Sequence, residues 1–486
     1  MTRLCAPPAE LFLGGSWRPA ADGATAEVVD PTDGSVIREV AWAGPEDVDR
    51  AVAATEEAYQ DWSGRPAEER AGILHRIADR LLEDAERLAA IDSLDSGNPL
   101  RASLADIRQA ARMLRFFAGL GPELTGRSYP TTGGDLAFTR RRPYPVVGRI
   151  LAFNHPLLFA VQSSAGPLMA GCALISKPSD PTPLAALEFA ALVEDLLPPG
   201  VLSVLPGTGP AAGEALVAHP RVPRIAFTGS VATGRRILAV GAEHIKHVTV
   251  ELGGKNPLLV FPDADVEAAA DAAVRGMNLT STNGQSCMST SRLFVHEDVH
   301  DEVVAAVAQR FRSLRIGRPS DPDTEVGPLA FQSHHERVLG FIERARAAGA
   351  RLVTGGDRPP GLPEGYYLEP TLFTEVDPGM ELAREEIFGP VLAVLRWRDP
   401  QELLAAANAL DLGLTANVWT RDLATALATI ERLDAGLVWV NGPVPRPAGL
   451  PFGGVKQSGL GREHCREELL SYTEERSIVV HASDPW

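Results

Sequence analysis

The sequence predicts an α/β protein made of two doubly wound α/β domains, one of them Rossmann-like, plus a small β arm. Three observations carry this. From Val146 onward, short apolar runs alternate with helix-length segments: VVGRILAF, ALISKP, VLSVLPG, RIAFTGS and HVTVELGG. Five strand-like runs spaced by helices are the pattern of a parallel, doubly wound sheet. A second series, NPLLVF, SRLFVH, RLVTGG, VLAVLRW, TANVWT and GLVWVN, reads as another α/β unit with its own strands. Finally, Gly121–Arg142 departs from the pattern, being rich in Gly, Thr and Arg with an alternating stretch LAFTRRRP, and the tail SIVVHA offers one more strand that could pair with it.

Ahead of these units, Pro66–Asp92 has the period of one amphipathic helix, with Ile73, Ile77 and Leu81 on one face and Ser63 as a candidate cap. Asp106–Phe117 reads as a second helix. Pro156–Ser176 carries no charge, but Gln162, Ser163, Ser164, Gly166 and Pro167 interrupt it, which suits a buried helix better than a membrane span. At 486 residues the chain is long enough for two or three domains, and it needs neither disulfide nor metal to hold a core of that size. A net charge of −17, with no basic stripe, argues against a nucleic-acid partner. The cysteines Cys5, Cys172, Cys287 and Cys465 show no ligand spacing, so no metal site is expected. Sparse cysteine and the lack of an apolar leader suit a cytoplasmic protein.

The residues that carry chemistry lie far apart. Cys287, in TNGQSCMST, follows a polar, flexible lead-in rather than an apolar run. A thiolate nucleophile needs a lowered pKa or a nearby base. Glu251 ends an apolar strand before Gly-Gly, where partial desolvation would raise its pKa and let it take a proton from water; a carboxylate that merely pairs at a strand end fits equally well. Asn154 also ends a strand, either to donate to a developing oxyanion or to close a turn. Gly229 and Ser230, in FTGS-x-x-x-Gly234, lie between a strand and a helix, where amide groups can hold pyrophosphate, although the fingerprint G-x-G-x-x-G is missing.

FNHP, KPSD, FTGS-x-x-x-G, ELGGKNP, GQSC, EEIFGPV and PFGGVKQSGLGRE occur in the order and approximate spacing of the aldehyde dehydrogenase superfamily, from about residue 10 to 480. By this resemblance the chain is similar to hydrolytic, NAD(P)-dependent enzymes that oxidise an aldehyde to the acid. It implies Cys287 as nucleophile, Glu251 as general base, and Asn154 in the oxyanion hole. It implies a cofactor site from Phe153, Lys177, Ser179, Asp180, Gly229, Ser230, Leu252, Gly253, Glu386 and Phe388. A substrate tunnel would be lined by His155, Leu158, Phe159, Gln162, Ser286, Met288 and Phe452. The implied division is 1–120 with 143–253 for the cofactor, 254–470 for catalysis, and 121–142 with 471–486 as an arm building a homodimer or homotetramer. The partner expected is a small-molecule aldehyde, with no membrane involved.

Two departures bear on detail. His155 stands where many relatives carry an apolar residue; it could meet a polar substrate group, tune the thiol, or only pack. Asp180 replaces the glutamate of many NAD-using relatives. A carboxylate near the ribose 2′-hydroxyl favours NAD, and the shorter arm keeps NADP open. Arg446 could meet an anionic substrate tail or lie at the surface. The rival readings are a CoA-acylating relative, against which Glu251 speaks, and a non-catalytic binding or structural protein on the same scaffold.

Overall fold

The computed structural model describes residues 9–131, 135–442 and 447–481. Arg446 and Cys5 fall outside them. The strands predicted from Val146 onward form one sheet. Leu202–Val204, Ala173–Lys177, Val146–Ile150, Arg224–Thr228 and His247–Glu251 lie side by side in that order, all parallel. Their residues are Val-, Ile- and Leu-rich, because helices cover both faces and every side chain meets apolar surface. Antiparallel strands close the two edges. Leu11–Leu13 and Ser16–Arg18 extend one, and Gly459–Leu460 pairs with Glu251 and Val250 at the other.

The second sheet has seven strands, ordered Arg351–Thr354, Thr371–Thr374, Val391–Trp397, Arg292–His296, Pro257–Val260, Thr415–Trp419, Leu437–Val440. All neighbours run parallel except the RLVT strand, which is antiparallel to Thr371–Thr374. Leu136–Pro143 pairs along its length with Thr473–Val480, and Ser128–Tyr129 adds a short third strand. This small sheet leaves Leu136, Val479 and Val480 exposed.

Two helix predictions need correction. Pro66–Asp92 is two helices, Ala67–Glu83 and Ala85–Ser96. Asp84 breaks them: its carboxylate binds the Arg87 guanidinium at 2.6 Å and 2.8 Å, and its carbonyl starts the next helix by accepting from Leu88. Such a local acceptor competes with the helix interior. Ser63 caps nothing; it lies inside the helix Pro45–Gly64. The next helix runs Leu100–Gly119, longer than Asp106–Phe117 at both ends.

The uncharged stretch begins as the helix Pro156–Ala170, buried nearly all round, and ends in the strand Ala173–Lys177. Gly166 lets Tyr472 and Phe117 pack close, since a Cβ there would come within 3.1 Å of Tyr472. Among the described residues no helix is long and apolar enough to cross a membrane.

Candidate active site

Parallel strands all end at the same edge of their sheet, so residues just past their ends converge. Here that edge gathers Phe153 and Asn154, then Lys177, Ser179 and Asp180, then Gly229 and Ser230, then Glu251, Leu252 and Gly253. The strand order turns around at Val146–Ile150, the switch point where such sheets bind ligands. Ser230 caps the helix Val231–Ala242, accepting from the Thr233 amide at 3.2 Å. Gly229 N–H donates to the Glu251 carbonyl at 3.0 Å, tying adjacent strand ends together. Leu252 packs on Gly234, where a Cβ would come within 2.6 Å. Lys177 is buried and ion-paired to the more exposed Asp180; burial lowers its pKa.

Glu386 and Phe388 reach this edge from the second sheet. Glu386 Oε1 accepts from Gly254 N–H at 2.9 Å, and a Cβ on Gly253 would collide with the carboxylate at 2.1 Å. Burial pushes the Glu386 carboxyl up to about 7, opposed by that amide bond. Phe388 has φ 58°, a conformation that costs an L-residue about 1–2 kcal/mol. The turn is held by Arg337, which donates to the carbonyls of Glu386 and Ile387 at 2.7 Å each, and by His334 Nε2 at 2.7 Å from the Phe388 carbonyl. Burial takes His334 down to about 4, so its ring is neutral and its Nε2–H donates here. Phe153, Phe331 and Phe388 pack edge-to-face, with Phe153 5.4 Å from Phe388.

Cys287 is half-buried and lines a cavity of about 620 Å³. Its lead-in is polar, as the sequence shows, but not flexible. Asn283 donates to the carbonyls of Gly97 and Pro328 and accepts from Gly327 N–H. Gln285 bridges Thr282 and Ala330, and a Cβ on Gly284 would strike Pro390 at 2.6 Å. Side-chain amides have satisfied the backbone of a sharp turn, which holds the thiol in place. Asn256 completes the clamp, donating to the carbonyls of Cys287 and Ser289 at 2.8 Å and 2.9 Å.

Asn154, His155, Leu158, Phe159, Gln162, Ser286, Met288 and Phe452 all line the cavity with Cys287. Asn154 is buried, and Asn98 fixes its carbonyl at 2.9 Å. The helix Leu100–Gly119 contributes Asp106, Gln109, Arg112 and Met113, which sequence reasoning missed. An acidic residue on one face of a helix gives no sign of which distant segment will cover that face.

Glu251 lies behind the cavity wall. It is 6% exposed, and neither carboxylate oxygen has a hydrogen-bond partner. A Cβ on Gly453, next to the wall residue Phe452, would approach Oε1 to 2.7 Å. Burial pushes its carboxyl well above the usual range, and the Glu463 charge pushes it further; Arg462 and Arg149 oppose them. Glu463 binds the buried Arg149 at 2.8 Å, which holds Glu463 low despite its own burial. A desolvated carboxyl whose oxygens accept no hydrogen bond and whose proton affinity is raised is a candidate for proton transfer.

The profile of the "Aldehyde dehydrogenase family" matches residues 17–478. The chain is 42% identical to aldehyde dehydrogenase tropH of Talaromyces stipitatus, over 97% of this chain and 93% of that protein. It is 43% identical to a betaine aldehyde dehydrogenase of Cereibacter sphaeroides, over 98% and 97% of the two chains. The solved NAD+ complex of a Bacillus cereus aldehyde dehydrogenase superposes with a TM-score of 0.94 at 38% identity, covering 98% of this chain and 96% of that one. The chain belongs to the aldehyde dehydrogenase family, whose members oxidise aldehydes with NAD(P).

Proposed function

We propose that Cys287, Asn154 and Glu251 are the working groups of a hydrolytic aldehyde oxidation. The carrying observation is that Cys287 and Asn154 line one cavity, and that the desolvated Glu251 carboxyl, with no hydrogen bond to either oxygen, packs on Gly453 next to the lining residue Phe452. The Cys287 thiolate adds to the aldehyde carbon. The Asn154 amide and the Cys287 N–H stabilise the resulting oxyanion, as donors placed in advance of the charge do in acyl transfer. A nicotinamide held at the sheet edge by Glu386, Phe388 and their neighbours would supply the hydride acceptor, and Cys287 would then carry the acyl group as a thioester. Glu251 takes a proton from water, the hydroxide expels the thiolate, and the acid departs. Neither carboxylate oxygen of Glu251 accepts a hydrogen bond, so no such bond has to break for it to meet that water.

The residues at the sheet edge fit a dinucleotide. A capped helix N-terminus at Ser230 offers amides for pyrophosphate, the Lys177–Asp180 pair offers a donor and an acceptor for ribose hydroxyls, and Glu386 offers an acceptor over Gly253. The Asp180 carboxylate favours NAD over NADP by charge. Residues 1–120 and 143–253 form the cofactor domain, and 254–470 the catalytic domain. The described residues of 121–142 and 471–486 form an arm whose exposed apolar strand residues favour a homodimer or homotetramer. The enzyme works in the cytoplasm.

Replacing Asn154 with alanine should lower kcat by about 100- to 1,000-fold with a much smaller change in KM, the cost of one oxyanion donor. Stopped-flow NADH formation reads this, and an unchanged kcat contradicts the role. Arg337→Ala releases the turn at Phe388 and should raise KM for NAD about 10-fold, the worth of charged hydrogen bonds to that loop. Alkylation of Cys287 by iodoacetamide should keep its rate; an unchanged KM removes Arg337 from the cofactor site.

A further inference from the structure

The wall above Cys287 is apolar along Met113, Leu158, Phe159, Met288, Leu450 and Phe452, yet one charge pair is set into it. His155 Nδ1 lies 2.6 Å from Asp106 Oδ2, and each side chain keeps 16% exposure, with both residues lining the cavity. The pair is not needed to anchor the helix that follows. Asp92 already does that, accepting from Leu157 N–H at 2.9 Å and from the Ser103 hydroxyl at 2.8 Å. Desolvating an imidazole and a carboxylate is on average no better for stability than apolar side chains of the same shape. A charge pair in the wall of a substrate cavity therefore points to recognition.

The contact engages one nitrogen and one oxygen. Among the described residues, Nε2 of His155 and Oδ1 of Asp106 make no other hydrogen bond. Burial works against charge on the ring, but Asp106, and Asp92 behind it, hold His155 above the ordinary imidazole range. Nε2 donates when the ring is protonated and accepts when it is neutral, while Oδ1 accepts. Phe159 meets the His155 ring edge-on at 5.5 Å and gives it an apolar backing. Of simple substituents, an anion would face the carboxylates of Asp106 and Asp92, and a quaternary ammonium has no hydrogen to donate to Oδ1 and no lone pair to offer Nε2. A hydroxyl both donates and accepts. The remaining charged wall residue, Arg112, is exposed and binds the Gln109 amide oxygen at 3.1 Å.

We propose that Asp106 and His155 form a hydroxyl-recognising pair, and that the preferred substrates are aldehydes bearing a hydroxyl away from the carbonyl. This rests on the aldehyde oxidation above and names its substrate class. Two matched comparisons test it, para-hydroxybenzaldehyde against benzaldehyde and ω-hydroxyhexanal against hexanal, so that phenols and alcohols are told apart. In the wild type at least one hydroxyl substrate should exceed its partner by about 10-fold or more in kcat/KM, chiefly through KM, as hydrogen bonds to charged groups require. Asp106→Asn and His155→Phe should each bring that ratio close to one, whatever their effect on the unsubstituted aldehyde. A merely structural pair would slow both members of a comparison alike, leaving the ratio intact, and that result overturns the inference. Equal kcat/KM for all four aldehydes in the wild type overturns it alone. No turnover of any of them sinks the aldehyde reading and this inference together.

Discussion

Cys287→Ala is expected to lower aldehyde oxidation by at least about 10,000-fold while NAD binding is unchanged, the pattern for loss of a nucleophile that acts as a unit with its partners. The expectation follows from how the thiol is held. Asn283, Gln285 and Asn256 hold the backbone on both sides of it through their side-chain amides, which Cys287→Ala leaves in place. The cofactor edge is built from other strand ends and from the Arg337-braced loop. Titration of NAD by protein fluorescence and a steady-state assay on the same preparation separate the two effects. Retained turnover with intact binding would place the chemistry on another residue; joint loss of binding and turnover would make Cys287 structural.

Glu251→Gln should divide the reaction in time. The first turnover needs the thiol and the oxyanion donors, so one equivalent of NADH should appear in a burst. Later turnovers need water activation and should fall by about 100- to 10,000-fold, the usual worth of a positioned general base. The pH dependence has a definite sign. The base works as the carboxylate, whereas burial and the Glu463 charge favour its protonated form. Steady-state kcat in the wild type should therefore rise with pH above the usual carboxylate range, and the Gln variant should lose that rise. A burst of unchanged size with an unchanged steady rate would show that another group activates water. The same shift bears on stability. Because the folded state raises this carboxyl, it binds the proton more tightly than the unfolded chain does. This contribution is fully present below the usual carboxylate range and is lost as pH rises through the folded-state value.

What the sequence discloses and what it hides divide along a physical line. The strands from Val146 to Glu251 are legible because a parallel sheet covered on both faces demands continuous apolar runs. Their convergence at one edge follows from topology, so Gly229, Ser230 and Glu251 could be placed together before any coordinates. The strand Thr371–Thr374 was missed because TLFT is too short and too near Pro370 to show a period. The break at Asp84 was missed since apolar spacing continues across it; the Asp84 backbone leaves the helical range there, at φ −106° and ψ 19°. The rigidity of Gly284–Gln285–Ser286 was misread because its hydrogen-bond partners, Pro328 and Ala330, lie some 45 residues away. Asp106, Arg149 and Glu463 were invisible for the same reason. A buried charge is recognised by its partner, and Arg149 meets Glu463 across 314 residues. His155 was singled out as unusual, but its partner came only with the fold.

The central claim is that Cys287 carries the substrate's acyl group as a thioester. Mixing the Glu251→Gln protein with NAD and an aldehyde it oxidises, quenching in acid after the burst, and mapping peptides by mass spectrometry tests that claim at one atom. The account predicts a mass increase of one acyl group on the peptide containing Cys287, absent when NAD is omitted. An unmodified Cys287 peptide after a full equivalent of NADH, or the acyl group on Cys172 or Cys465, would contradict it.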